Sequence, residues 1–365
     1  MTTKLNARHR LIPLVSMGIP LLSVIGALGI GSLLLAAFGA NPFVGYREMF
    51  LGGFGDIDAI ADTLVKSIPL LLVGVGICLA FRTGVVNIGG EGQILAGAIL
   101  STLAALAIPN TPRVFLVPIL LIVGGLGGAI WGAIPGALKA YVGVNEILST
   151  IMMNIVAGHL LSFLLEGLII EPGEIRIQQT KRLTENSDIP LLPGGTRLHF
   201  GIVVAVFVAV VAYVVLKRTT LGMRLRAVGH NQDAARYAGM SVQNNIVLAL
   251  ALSGACAGVA GALLVFGSES HRLIGEGGAA AFTQSAGFNG IVAALLGGLN
   301  PLLTIPASFL FGGMLIGGIE MQRAVQVPSA LIIALNGIVV IFVVSSFRLK
   351  RKLEQAMTSS DRDRA

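Results

Sequence analysis

Long apolar runs broken by short polar stretches fill most of the chain. A hydrocarbon core of about 30 Å takes about 20 apolar residues per helix. On that ruler the runs predict ten membrane-crossing helices: Leu11–Phe38, Asp62–Phe81, Gln93–Ile108, Val114–Leu138, Ile147–Ile170, Phe200–Leu216, Ile246–Gly267, Phe288–Leu303, Pro306–Ile319 and Pro328–Phe347. The fold class is an all-α polytopic membrane protein with eight to ten spans. The first interval, with Tyr46, Glu48, Asp56 and Asp58, reads as a polar outer loop. The longest hydrophilic interval is Glu171–His199, with Glu171, Glu174, Glu185 and Asp188, and a strongly basic one runs from Lys217 to Met240.

Composition sharpens this picture. Of 365 residues, 55% are hydrophobic and 12% charged, against about 25% charged in soluble chains. Glycine (48) and proline (14) are abundant, as in membrane helices. Cys78 and Cys256 fall in apolar runs and read as small buried apolar residues, with no disulfide framework and no metal site. The net charge of +7 does not call for nucleic acid, because the basic residues lie between apolar runs.

With the N-terminus inside, sixteen of the 25 basic residues fall on inner segments. These include Lys4, Arg8, Arg10, Arg82, Lys139, Lys217, Arg218 and the RLKRK tail. Both termini are therefore expected in the cytoplasm, and eight spans would give the same parity. The first run is too long for the core of a cleavable signal. The expected layout is a cytoplasmic N-terminus (1–10), one transmembrane domain (11–347) with a basic loop at 217–243, and a cytoplasmic basic tail (348–365). No polar segment is long enough to bury a core of its own. Gly124, Gly128, Gly132 and Gly136 make a smooth face for close helix packing, a device repeated at Gly254–Gly258 and Gly313–Gly317; a glycine-lined path is the alternative.

Three groups of polar residues carry the candidate chemistry. The first is FRTGVVNIGGEGQILAG, Phe81–Gly97, where Asn87, Glu91 and Gln93 stand among glycines that disfavour a continuous helix. Broken helices in transporters offer backbone groups and half-helix ends to polar solutes near the midplane. The alternative is a tight inner turn with Glu91 paired to Arg82, and the span ruler puts the stretch near the inner side.

The second group is LGMRLRAVGHNQDAARYAGMS. There Asn231 can N-cap a short helix, Asp233 suits its first turn, and Gly239 can close it in the left-handed conformation. Such a helix has the form needed to dock on another subunit; a solvated positive-inside loop is the alternative. The third group is scattered: Asn145, Glu146, Asn154, His159, Glu166, Gln284, Phe288, Asn289, Glu320, Gln322 and Asn336. Asn154 and Asn336 are the best-buried by position, and a lone membrane Asn makes an interhelical hydrogen bond more often than a ligand contact. His159 has no second His or Cys at ligand spacing.

Catalytic signatures are missing. The sequence has no GxxxxGK[ST], nucleophile elbow or zinc-binding helix, so an ATPase driving transport would be a separate subunit. Four segments carry a family resemblance: AFRTGVVNIGGEGQ (Ala80–Gln93), GAIPGALKAYVGVNEILSTIMMN (Gly132–Asn154), GMRLRAVGHNQDAARYAGM (Gly222–Met240) and GFNGIVAALLGGLNPL (Gly287–Leu302). With these the chain resembles the permease subunits of ABC importers in the superfamily for branched-chain amino acids, ribose and nucleosides. The similarity is greatest to the branch for nucleosides and simple sugars that works with basic-membrane-protein-type binding lipoproteins. One departure is Gly298-Leu299-Asn300, where the resemblance leads us to expect a basic residue in the turn.

The resemblance implies a non-catalytic transport subunit of a bacterial cytoplasmic membrane. It implies that Arg224, Arg226, Asn231, Asp233, Arg236 and Gly239 form or flank a coupling helix seated in a cleft of the ATPase. It also implies a second permease subunit, often a different chain, and an extracytoplasmic substrate-binding lipoprotein. ATP and Mg would be bound by the partner ATPase, with no cofactor in this chain. Asn87, Glu91, Gln93, Asn154, Phe288, Asn289 and Asn336 are the expected substrate-path residues, for a nucleoside or, alternatively, a simple sugar. An ion-coupled secondary transporter is the competing class, with Glu91, Glu166 and Glu320 as its candidate carboxylates.

Overall fold

A computed structural model describes residues 25–172, 177–275, 278–339, 341–342 and 345. The expected cytoplasmic N-terminus, the first part of the first span and the basic tail lie outside these residues. The described helices are α1 (Ile25–Ala37), α2 (Pro42–Phe54), α3 (Ile57–Phe81), α4 (Gly90–Ala107) and α5 (Arg113–Ala137). They continue with α6 (Glu146–Glu166), α7 (Gly201–Arg218), α8 (Thr220–His230), α9 (Gln232–Tyr237) and α10 (Val242–Phe266). The last are α11 (Ala279–Thr283), α12 (Ala286–Leu296), α13 (Pro301–Val325) and α14 (Ser329–Val339). Among the described residues the only β features are two isolated bridges, Gln179 with Ile274 and Leu191 with His199.

Seven of these helices are long and apolar enough to cross a membrane, or eight if the bent α1–α2 pair counts as one span. That is the lower end of the expected range, and the differences have local causes. The interval holding Tyr46 and Glu48 is helix α2, begun by Asn41 as N-cap with Pro42 behind it, and not an outer loop. The expected eighth and ninth spans, Phe288–Leu303 and Pro306–Ile319, are also replaced. The structure has the half-length α12, a turn at 297–300, and the continuous helix α13 through Pro306. Hydropathy cannot separate these cases, since a half-helix and a full span are equally apolar residue by residue.

The chain divides into two units, 60–312 and the remainder. In the larger, α10, α5 and α4 pack most extensively against one another. Their crossing requires glycine: a Cβ on Gly128 would fall 2.0 Å from the Gly254 carbonyl oxygen, and one on Gly258 2.1 Å from that of Gly124. The repeat is thus a packing face, since lipid tails supply no hydrophobic drive and association rests on close backbone contact. In the smaller unit Leu35, Met321, Val327, Leu331, Ile332 and Leu335 form the core. Tyr46 donates to the Leu28 carbonyl across 2.9 Å, tying α2 to α1.

At one end of the larger unit the hydrophilic stretch after α6 folds onto the turn after α10. The Thr180 and Leu183 N–H groups donate to Leu273 and His271 carbonyls at 3.0 and 2.9 Å. Arg272 pairs with Glu171, holding that carboxyl below the usual range. Asp188 and His271 face each other at 2.8 Å, while burial pushes the Asp188 carboxyl up. His199 is buried just before α7, its Nδ1 accepting from the Gly201 N–H at 3.1 Å, and burial lowers its pKa to about 4.

A buried imidazole whose folded pKa lies below its unfolded value of about 6.5 favours the neutral form. Its contribution is present above pH 6.5 and lost as pH falls from there towards 4. Roughly 3 kcal/mol is at stake across that window. Acidification from pH 7 to 5 should therefore lower the melting temperature, and His199→Asn, which keeps an acceptor without the titration, should flatten the dependence. An equal pH slope in both proteins would contradict this.

Candidate translocation path and coupling surface

The stretch between α3 and α4 begins beside α8: a Cβ on Gly229 would meet the Arg82 carbonyl oxygen at 2.0 Å. This is the basic side of the larger unit, where Lys139 pairs with Glu146 at 2.9 Å and Lys217 and Arg218 end α7. Arg82 bonds the Leu299 carbonyl at 3.0 Å and not Glu91. The pairing of Glu91 with Arg82, the alternative reading of this stretch, is therefore absent. The turn Gly298-Leu299-Asn300, which has no basic residue of its own, thus receives a guanidinium from the end of α3.

From there the chain climbs. Asn87 Nδ2 donates to Ser253 Oγ at 2.8 Å, at the level of Gly76, whose Cβ would strike the Ser253 carbonyl. Gly90 lies against Val73 and Gly287. Val73 precedes the end of α3 by eight residues, about 12 Å at 1.5 Å per residue. The stretch therefore re-enters the helical layer instead of turning at its edge, and α4 starts well inside. The ruler misplaced it because it counts residues and cannot see an extended segment double back.

Inside, the polar groups satisfy one another. Asn87 Nδ2 also donates to Gln93 Oε1 at 3.0 Å, and Asn87 Oδ1 accepts from the Gly89 N–H at 2.9 Å. Asn87 and Gln93 are each only 1% exposed. Asn154, on α6, accepts from the Gly92 N–H at 2.8 Å and donates to the Ile88 carbonyl at 3.0 Å. These three amides clamp the re-entrant backbone, the work of structural hydrogen bonds where lipid or apolar packing offers no water. Asn154 is half-buried, less enclosed than its position in the run predicts.

Glu91 does something different. It lies 8% exposed in the first turn of α4 and its carboxylate accepts the Phe288 N–H at 3.2 Å. The Thr283 side chain is a further hydrogen-bond partner. Glu91 therefore closes the N-terminus of the half-helix α12, where unpaired N–H groups and the positive dipole end would otherwise face an apolar layer. A Cβ on Gly287 would sit 2.3 Å from the Glu91 nitrogen, so only glycine allows the two helix starts to meet.

Phe288 is 48% exposed on the first turn of α12, and Asn289 beside it is half-buried. Asn336 is buried on α14 in the smaller unit, near Ile332 and Gly318. The larger unit thus gathers Asn87, Glu91, Gln93, Asn154, Phe288 and Asn289 around one re-entrant segment and one half-helix.

The other candidate surface is local and matches its expected form. Asn231 Oδ1 accepts from the Asp233 and Ala234 N–H groups, both at 3.0 Å, and starts the six-residue α9. Gly239 follows at φ +78°, and its N–H donates to the Arg236 carbonyl at 3.0 Å. Asp233 and Arg236 pair at 3.5 Å on an exposed face. Only Ala235 of α9 is buried, against Val228 and Val242, whereas Tyr237 is 94% exposed. Arg224 and Arg226 belong to α8, which Thr219 caps.

A family described as branched-chain amino acid transport system / permease component matches residues 59–344. The chain belongs to this permease family. The guanosine ABC transporter permease protein NupP of Bacillus subtilis is 36% identical over 337 residues, 91% of this chain and 94% of that one. The nucleoside ABC transporter permease protein NupB of Lactococcus lactis is 30% identical over 93% of each chain. The glucose ABC transporter permease protein TsgB13 of Haloferax volcanii is 33% identical over 95% of this chain and 92% of its own. No solved structure gives a significant match.

The permease is accordingly a multi-pass inner-membrane protein and a transport subunit. Three of its polar groups escaped the reading of the sequence. Ser253 and Thr283 are ordinary in sequence, and only the fold brings them to Asn87 and Glu91. Lys66 carried a signal: a lone lysine inside the apolar run of α3, where a charged centre costs roughly 2.5–3.5 kcal/mol.

Proposed function

We propose that the permease translocates nucleosides across the cytoplasmic membrane, driven by ATP hydrolysed on a separate subunit. The observation that carries this is the continuity of one segment. The stretch 82–91 starts at Gly229 on α8, next to the exposed, capped α9, and ends at the half-helix that presents Phe288. An ATPase seated on α9 on the cytoplasmic side would act on the path through this segment. Arg224, Arg226, Asn231, Asp233, Arg236 and Gly239 form or flank that seat, and Asn87, Glu91, Gln93, Asn154, Phe288 and Asn289 line or support the path. ATP and Mg belong to the ATPase. A second permease subunit encloses the path, and an extracytoplasmic binding lipoprotein delivers substrate.

A nucleoside suits an aromatic ring beside amides, since it is uncharged with hydroxyls and a flat base. The second reading, a simple sugar, is favoured by the likeness to the Haloferax glucose permease. An ion-coupled transporter fits less well, because its candidate carboxylates are locally engaged. Glu91 caps α12, Glu166 accepts from Gln178 at 2.9 Å, and Glu320 pairs with Arg323 at 2.6 Å.

The test is reconstitution with the cognate ATPase, second permease and binding protein. Nucleoside uptake should require ATP and persist after the proton gradient is collapsed. Uptake driven by a gradient in the isolated chain would refute the reading, and uptake of sugars alone would select the second.

A further inference from the structure

Lys66 stands ten residues into the 25-residue helix α3, close to its midpoint. Its ammonium donates to Gln284 Oε1. Gln284 is no ordinary linker: it and Ser285 are consecutive left-handed residues (φ +49° and +58°) separating α11 from α12. Neither is glycine, so the strain must be held by its surroundings, and such strain collects at ligand-binding sites. Gln284 and Ser285 are exposed, as is half of Phe288 one turn on.

Depth makes this face unusual. From Gly287 to Leu296 α12 rises about 13 Å above the turn bound by Arg82. The break therefore lies midway through the helical layer. Irregular backbone is tolerated at such depth only against protein or a water-filled cavity, and an ammonium there marks a solute path. Glu91, the other ionisable group at this break, is occupied by the Phe288 N–H and Thr283.

Resting on the nucleoside reading above, we propose that Lys66, Gln284 and Phe288 form the base-recognition point of the path and favour 6-oxopurine nucleosides. Lys66 gives one proton to Gln284 and keeps others for the ligand; the Gln284 amide, its oxygen engaged, presents two N–H donors. The site is donor-rich beside an aromatic face. The outer edge of a 6-oxopurine shows two acceptors, O6 and N7. Adenine turns an amino donor towards the ammonium at the same place, and a sugar has no face to lay on Phe288.

The test uses the complete transporter in proteoliposomes, comparing each nucleoside with itself between variants so that the binding protein's preference cancels. Lys66→Met should lower guanosine and inosine uptake by about tenfold and adenosine uptake by less than about threefold, while Lys66→Arg restores most of the loss. Ser285→Cys should react with a water-soluble methanethiosulfonate during turnover, and guanosine should slow the reaction. Equal losses for all nucleosides, no loss, or a thiol at position 285 that stays inert under turnover would each overturn the recognition point. Nucleoside uptake by the wild type would still uphold the transport reading, which fails only if the wild type moves no nucleoside.

Discussion

Arg236→Glu together with Gly239→Pro is expected to lower ATP-driven uptake by more than about tenfold while the ATPase stays active, a loss within the usual range of coupling energies. The helix concerned has six residues and is too short to persist on propensity alone. Its shape comes from two ends: Asn231 holding the Asp233 and Ala234 N–H groups, and Gly239 turning left-handed. Proline cannot adopt φ +78° and has no N–H for the Arg236 carbonyl, so the closing turn is lost. The charge reversal removes only an exposed ion pair, worth little to folding. Ala235 alone is buried, so the core beneath keeps its packing. Hydrolysis and uptake measured in the same proteoliposomes decide the matter. Unchanged uptake would show that the α9 surface carries no coupling.

The same contrast explains what the sequence made legible. The coupling-loop helix was readable because everything that forms it is local: cap, first-turn acid and closing glycine lie within nine residues. The glycine repeat of α5 was readable as packing because its four-residue spacing is a property of one helix. The re-entrant stretch was readable only as a concentration of polar groups. Its climb depends on Ser253, Asn154 and Gly287, which belong to three other elements, and no count along the chain brings them together. The split between α12 and α13 was missed for the reverse reason. Leu299 turns left-handed in a Gly-Leu-Asn-Pro sequence, and hydropathy read this turn as part of a continuous span. For the proposed recognition point, the position of Lys66 alone carries a signal in the sequence, since charge is rare at that depth.

Glu91 separates the two classes of transport mechanism. As the acceptor for the Phe288 N–H and Thr283, it holds the start of a half-helix within an apolar layer. Glu91→Ala would leave those donors unsatisfied, at several kcal/mol each where water is excluded. It should therefore abolish uptake and lower the melting temperature of the purified complex. Glu91→Gln keeps a carbonyl oxygen at the same reach but cannot exchange a proton. If the carboxylate is a hydrogen-bond acceptor, the Gln variant folds like the wild type and retains uptake within about threefold, the difference reflecting a weaker neutral acceptor. If the carboxylate carries protons, the Gln variant folds but does not transport, and the Ala variant behaves alike. Measuring both variants for stability and for ATP-driven uptake with the gradient collapsed distinguishes the cases, because only the acceptor role predicts that they diverge. An inactive Gln variant together with an Ala variant as stable as the wild type would remove Glu91 from the half-helix role and return the ion-coupled mechanism to the front.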